Sequence, residues 1–295
     1  MRHLFILNPV AGKGKTLKLI PDIHDYFRGR NEEYIVETTE YPGHATEIAA
    51  RYSSSEDCRI YSIGGDGTLN EVLNGMARTG SSLAAIPGGS GNDFIKSIIG
   101  RHHLKDMIKN VIEGEERLID LAKVNDKYFI NITSLGFDAQ VVLKTLNYKK
   151  LPLISGKMAY MLGIFTSIMK CESHDMEIVI DGRRQKTKTL LVAIGNGRYY
   201  GGGMLALPKA EINDGLLEIC LVEEMKRLRI LHLFPKYMKG LHETIPGVHF
   251  FRAKNVEIIP YKPVPMNLDG ELLLADKAVF TIIKDGLRFV APVFL

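Results

Sequence analysis

Residues 61–76 read YSIGGDGTLNEVLNGM, and this stretch decides the fold. Tyr61, Ser62 and Ile63 form a strand-like lead-in, while Leu69, Val72, Leu73 and Met76 recur at helical spacing. Between them stand Gly64, Gly65 and Gly67, with Asp66 among them. A strand that enters a helix through a glycine turn is a building unit of a parallel α/β sheet. The flanking sequence repeats it: strand-like residues 4–7, 34–38, 59–63 and 83–86 alternate with helix-like residues 16–28, 44–52 and 69–76. Right-handed crossovers and a doubly wound, mostly parallel sheet follow. Ligands of such sheets bind beyond the carboxyl ends of the strands. Those ends carry Asn8 to Gly12, Thr38 and Thr39, residues 64–68 and residues 87–93.

After Asp120 the pattern changes. Residues 121–139 alternate like a hairpin turning at Asn125 and Asp126, and strand-like runs continue at 176–196, 216–223 and 255–273. Helix-like pieces interrupt them at 155–170 and 225–241. The expected organisation is an α/β nucleotide-binding domain over 1–120 and a β-rich, antiparallel sandwich-like domain over 121–285. The tail, 286–295, is open to a return to the first domain.

With 295 residues, 45% hydrophobic and 24% charged, the chain has the composition of a globular protein of two domains. A net charge of +4 suits phosphate-bearing or anionic partners and is too weak to argue for nucleic acid. Cys58, Cys171 and Cys220 read as reduced thiols of a cytoplasmic protein. The apolar run before Asn8 and Pro9 is too short for a signal peptide and reads as a first strand. Residues 158–169 are the most apolar long segment, well short of the roughly 20 needed to span a bilayer. No transmembrane segment is expected.

Two phosphate-loop readings fail. A Walker A loop ending at Gly14, Lys15 and Thr16 needs a glycine where Pro9 stands, and no G-x-G-x-x-G occurs. The turn at 64–71 is different. Its glycines allow close backbone approach and positive φ, and successive amides at a helix start form an anion-binding concavity. A carboxylate there calls for a cation between the charges, so Asp66 implies Mg²⁺. Thr68 is expected to cap the helix.

GGDGTLNE (64–71), IPGGSGNDF (86–94) and NPVAGKGK (8–15) together resemble the diacylglycerol kinase catalytic family, which includes bacterial soluble lipid kinases and the sphingosine and ceramide kinases. AEINDGLLE (210–218) and NLDGE (267–271) extend the resemblance over nearly the whole chain. It implies that Asn8, Pro9, Val10, Ala11, Gly12, Thr39, Gly64, Gly65, Asp66, Gly67, Thr68, Leu69, Asn70, Glu71, Ser90, Asn92 and Asp93 line a site for ATP. It also implies a structural Mg²⁺ held by Asp214 with the carbonyls of Glu211 and Leu216. Asp66, Asp93 and Asp120 would form a network for a second Mg²⁺. The general base would be Asp269 or Glu271. Phosphoryl transfer asks for little more than positioning, charge neutralisation and a carboxylate that takes the hydroxyl proton.

The expected activity is transfer of the γ-phosphate of ATP to a lipid hydroxyl, first of all that of diacylglycerol, giving phosphatidic acid. The alternatives are NAD kinase-like phosphorylation of a soluble acceptor and a non-catalytic nucleotide or lipid sensor. Such an enzyme is expected in the cytoplasm, in transient contact with a membrane surface, and a homodimer is the default closed assembly. The basic, amphipathic residues 226–240 can lie on an anionic membrane, and residues 158–169 can cover an acyl-chain pocket. Each also reads as an ordinary helix over a core. Gly201, Gly202 and Gly203 mark a closely approached loop near the cleft, with no role assigned.

Overall fold

The computed structural model describes residues 1–89, 92–99, 107–149 and 156–293. Strands β1 (Arg2–Leu7), β2 (Tyr34–Thr38), β3 (Cys58–Gly64) and β4 (Ser82–Pro87) are parallel, in the order β4-β3-β1-β2. Helices α1 (Leu19–Phe27), α2 (His44–Ser53), α3 (Asp66–Met76), α4 (Asp93–Ile99) and α5 (Met107–Ile112) complete this half. Alternate strand residues face opposite ways. Leu4, Ile6 and Ile60 join Ile48, Val72 and Leu73 of α2 and α3 in one core. Phe5, Leu7, Tyr61 and Ile63 join Ile23, Phe27 and Val111 of α1 and α5 in another. The strand order reverses beside β1, and the crevice outside such a point is where ligands bind in open α/β sheets.

Spacing predicts one helix over 16–28. Instead two short 3₁₀ turns, Ala11–Lys13 and Lys15–Lys18, precede α1. Gly12 and Gly14 lie in the left-handed region at φ 58° and 81°, and Thr16 Oγ1 donates to Asn8 O at 2.7 Å, so the segment is bent onto the sheet edge. Helix α3 starts three residues earlier than the spacing of its apolar residues predicts.

The second half is antiparallel. Strands β5 (Glu115–Val124) and β6 (Lys127–Phe129) form the expected hairpin at Asn125 and Asp126. Then follow β7 (Ile132–Gly136), α6 (Phe137–Lys149), α7 (Gly156–Met169), β8 (His174–Ile180) and β9 (Arg183–Gly195). The small hairpin β10 (Tyr199–Tyr200) and β11 (Met204–Leu205) precedes β12 (Leu217–Glu223), α8 (Arg227–Met238), β13 (Val248–Ala253) and β14 (Asn255–Pro260). Strands β15 (Val264–Leu268), β16 (Glu271–Ala275) and β17 (Ala278–Ala291) end the chain. On β9 and β12, Val192, Ile194, Ile219 and Leu221 enter a sandwich core. Leu191, Ala193, Cys220 and Val222 face a further core beneath α6, α7 and α8. Helix α6 has no counterpart in the sequence expectation.

The two halves share backbone. β5 crosses residue 120 without a break, pairing with β17 along most of its length. β17 pairs with β14 near its start, and its Arg288 and Phe289 lie parallel to Ser82 and Leu83 of β4. The architecture is thus a parallel α/β sheet continued by an antiparallel β-rich sheet.

Candidate active site

Three loops meet at the carboxyl ends of β1, β3 and β4. Gly64 O accepts the amides of Gly88 (2.8 Å) and Gly89 (3.0 Å). A Cβ on Gly12 would stand 2.2 Å from Gly88 O, so the first loop packs directly on the third. Asp66 fastens them further: its carboxylate accepts Asp93 N at 3.0 Å and Phe94 N at 3.2 Å. Burial pushes the Asp66 carboxyl up, the two amides pull it back, and the neighbouring Asp93 charge raises it again. Asp93, also buried, meets Lys96 Nζ at 2.5 Å and accepts Gly202 N at 2.7 Å. The glycine loop after β10 therefore closes on the side of the crevice formed by the β3 and β4 loops.

Two expectations at this turn need correction. Gly64, Gly65 and Gly67 are absent from the positive-φ residues, so left-handed backbone is not what the turn requires. Close approach is: a Cβ on Gly64 would lie 2.5 Å from Thr68 Oγ1. Thr68 does not cap α3 either. The helix starts at Asp66 with Gly65 as an uncapped N-cap, and the Thr68 hydroxyl instead receives Asn8 Nδ2 at 3.1 Å.

The remaining first-half positions divide. Pro9, Val10 and Ala11 follow β1 in the first loop, and Thr39 N donates to Leu7 O at the end of β2. Asn92, at φ 54°, exchanges hydrogen bonds with Gly89. Ser90 lies outside the described residues. Leu69 is core, and Glu71 accepts Ala45 N, bracing α2 against α3. Asp120 is not joined to Asp66 and Asp93 by any hydrogen bond. Its carboxylate accepts Gly215 N (2.6 Å) and Asp285 N (2.9 Å), and its own amide donates to Ile212 O.

Asn70 carries the glycine turn to the second half. Its Nδ2 donates to Asp269 Oδ2 at 3.0 Å, and one helical turn on, Asn74 pairs with both backbone groups of Tyr128 in β6. Asp269 is buried at φ 44°, and also accepts Ile130 N (3.2 Å) and Ile132 N (3.1 Å). Burial, opposed by these donors, pushes its carboxyl up to about 6. Asn267 Oδ1 accepts Gly270 N and fixes the turn. Glu271, two residues on, is 45% exposed and meets Lys127 Nζ at 2.8 Å. The two candidate bases thus sit in opposite environments.

At the 210–218 loop, Asp214 accepts Leu216 N at 2.9 Å and pairs with Arg252 of β13. Glu218 Oε2 stands 3.3 Å from Arg252 Nε, Glu211 Oε1 4.0 Å from its Nη2. Glu218 Oε2 is nevertheless buried without a hydrogen-bond partner. Three carboxylates against one guanidinium, with an orphaned oxygen, fit a hard oxygen-seeking cation. Among the described residues no group of three or more His, Cys, Asp or Glu side chains is placed to hold a metal, so such an ion needs backbone carbonyls as well.

Beneath α8 lies a cavity with about 620 Å³ of empty space, part of it open to solvent. Phe137, Val141, Ile164, Leu191, Leu233 and Phe234 are among its apolar lining. Its polar wall is Asp138, buried, accepting Ser134 Oγ at 2.6 Å and lying 3.5 Å from Asn267 Nδ2. Burial raises the Asp138 carboxyl. Tyr200, also lining the cavity, shares a 3.1 Å hydrogen bond with Tyr237 of α8. Asp138, Lys96, Tyr200 and Arg252 are outside the expected site. The one local signal is a charge set directly after Gly136 and Phe137 in an otherwise uncharged run.

Residues 2–124 match the model of the diacylglycerol kinase catalytic domain, and residues 131–290 that of the YegS C-terminal NAD kinase beta sandwich-like domain. A diacylglycerol kinase of Staphylococcus saprophyticus is 31% identical over 272 residues, covering 92% of this chain and 88% of that protein. One from Staphylococcus aureus strain MRSA252 is 30% identical, covering 92% and 86%. A crystal structure from Bacillus anthracis str. Sterne, described as a diacylglycerol kinase, shares the fold with a TM-score of 0.71 at 21% identity, covering 98% of this chain and 96% of that one. Both halves being matched in order, the chain belongs to the diacylglycerol kinase family of lipid kinases.

Proposed function

We propose that this chain transfers the γ-phosphate of ATP, in the presence of Mg²⁺, to the hydroxyl of a membrane lipid, with diacylglycerol as the first acceptor and phosphatidic acid as the product. The observation that carries this reading is contiguity. Asn70 of the glycine turn touches Asp269, and Asn267 of the same turn meets Asp138 in the cavity wall. A polar phosphate cradle and an apolar acceptor cavity thus adjoin one carboxylate turn. A soluble dinucleotide acceptor has no use for so apolar a lining.

The residues divide the work as follows. Amides of the 64–67 and 87–89 loops cradle phosphate oxygens. Glu271 takes the proton of the acceptor hydroxyl, and Asp269 positions the turn. What supports this division is that Asp269 already receives three N–H groups, whereas Glu271 is partly exposed beside Lys127. Lys96, at 2.5 Å from Asp93, keeps a cation at the phosphate side. Asp66 and Asp93 would hold one Mg²⁺, and Asp214 with the Glu211 and Leu216 carbonyls another; when bound, the ions supply charge neutralisation. Asp120 holds the 210–216 loop in shape. Residues 1–120 with 286–295 form the nucleotide half and 121–285 the acceptor half, a reading supported by Leu287 and Phe289 joining the first core and Phe280 the second.

No described helix is long and apolar enough to cross a membrane, and we read the enzyme as a cytoplasmic one that visits the bilayer. The test is ADP release from Mg·ATP offered with diacylglycerol micelles, long-chain bases or NAD. Turnover is expected with diacylglycerol and abolished by EDTA. Turnover with NAD alone would replace this reading by that of a soluble-acceptor kinase, and no turnover with any acceptor by that of a sensor.

A further inference from the structure

Helix α8 lies at the surface: Ile230 is its one fully buried residue, and Leu231, Phe234, Tyr237 and Met238 are partly buried against the core beneath it. Leu228 is 81% exposed, and Leu241, just past the helix, 62%. On α7, Met158, Phe165 and Met169 are all exposed and, seven and four residues apart, fall on one stripe. Single exposed apolar side chains are ordinary. These are not scattered, because the same two helices supply Ile164, Leu233 and Phe234 to the cavity. The exposed apolar groups and the acceptor cavity therefore belong to one pair of helices.

Charge around α8 has a single sign. Residues 226–241 contain Lys226, Arg227, Arg229, Lys236 and Lys239 and no acid. The nearest acids in sequence are already engaged: Glu223 with His249, Glu224 with Lys188 and Glu243 with Lys209. Among the described residues, Lys226, Arg227, Lys236 and Lys239 have no carboxylate within ion-pair reach, and Arg229 donates to Pro246 O. No acid stands in the first turn of α8, where Arg227 and Arg229 oppose the positive end of the helix dipole. A basic helix with protruding leucine fits a surface that is anionic and apolar beneath, which describes a bilayer better than an acidic protein.

We propose that α8, with the exposed stripe of α7, is the face on which this chain docks onto an anionic lipid bilayer. The proposal deepens the lipid-kinase reading and rests on it, since docking there sets the cavity against the acceptor's own membrane. Lys226, Arg227, Lys236 and Lys239 meet the headgroups, and Leu228 and Phe165 enter below them.

The test is co-sedimentation of the full chain, without ATP, with phosphatidylglycerol-containing vesicles and with pure phosphatidylcholine vesicles. The native chain should prefer the anionic vesicles and lose that preference as salt rises. Arg227→Glu with Lys236→Glu should lower partitioning onto anionic vesicles about tenfold or more. Leu228→Glu should lower it by a similar factor. Both variants should keep the native melting temperature and native turnover of a monodisperse short-chain diacylglycerol. Vesicle binding by the charge-reversed variant equal to that of the native chain would overturn the proposal, as would no preference of the native chain for anionic vesicles. Loss of self-association with vesicle binding intact would assign the face to a second copy instead. If vesicle binding behaves as expected while no lipid is phosphorylated, docking stands and the kinase reading fails.

Discussion

The proposed phosphate loops and the proposed acceptor cavity adjoin the same carboxylate turn but are built in opposite ways. The loops consist of glycines and short polar side chains that bind one another across adjacent strand ends: Gly64 to Gly88, Asp66 to Asp93, Asn8 to Thr68. The cavity is assembled from side chains of α6, α7, α8 and β9, which are distant in sequence and alike in chemistry. On the proposed reading, one region offers a fixed array of amides to a fixed group, a triphosphate. The other must only be apolar and large enough, so many side chains serve. Chemistry should therefore be brittle at the first region and at the turn, while the second should shift acceptor preference gradually.

The largest effect is expected at the turn. Glu271→Gln should reduce kcat by about 10²–10⁴ with ATP affinity unchanged, as expected for loss of a proton acceptor. Asp269→Asn should reduce it less, on the order of tenfold to a hundredfold, through the geometry of the turn. Equal losses, or a larger one at Asp269, would exchange the two roles. Asp269 has a further signature. Its folded pKa of about 6 lies above the ordinary carboxylate value of 3.8. A carboxyl raised in this way contributes stability that is fully present below the ordinary value and is lost as pH rises through about 6. The stability advantage of the native chain over Asp269→Asn, from urea unfolding, should therefore shrink between pH 4 and about 7 by on the order of 2–3 kcal/mol.

At the cavity, Leu233→Trp should raise KM for long-chain acceptors about tenfold, one large side chain of apolar contact, and leave KM for ATP alone. The smallest expected effect is at Gly67, which sits inside α3 with no atom within 4 Å of an added Cβ and no positive φ. Ala there should stabilise the fold by about 0.5–1 kcal/mol, since glycine is a poor helix residue. A several-fold loss of ATP affinity in that more stable variant would mean the glycine is kept for the ligand. Unchanged affinity would remove Gly67 from the cradle.

The difference between the two regions also explains what was legible in the sequence. Strands β1 to β4 and their loops could be read because short continuous apolar runs and glycine turns are local signals. Helix α6 could not, because one flank faces a cavity and its hydrophobic residues keep no clean period. Residue types named the glycine turn and the 267–271 turn, yet gave no hint that Asn70 would join them across 199 residues. That contact depends on β15 lying beside β7, a matter of sheet order rather than of local pattern. The resemblance groups Asp120 with Asp66 and Asp93, and its hydrogen bonds go to Gly215 and Asp285. The left-handed glycines 201–203 were visible as a loop, but their bond to Asp93 again crosses the halves.

We propose one site, shared by the glycine loops and the apolar cavity and served by the carboxylate turn. It is tested most directly by following label from γ-labelled ATP into lipid-extractable product with diacylglycerol in mixed micelles, for the native chain and Glu271→Gln side by side. Labelled phosphatidic acid from the native chain, and at least about a hundredfold less from the variant at equal ATP occupancy, is the predicted result. Label that stays in nucleotide and free phosphate, or equal transfer by both proteins, would contradict it.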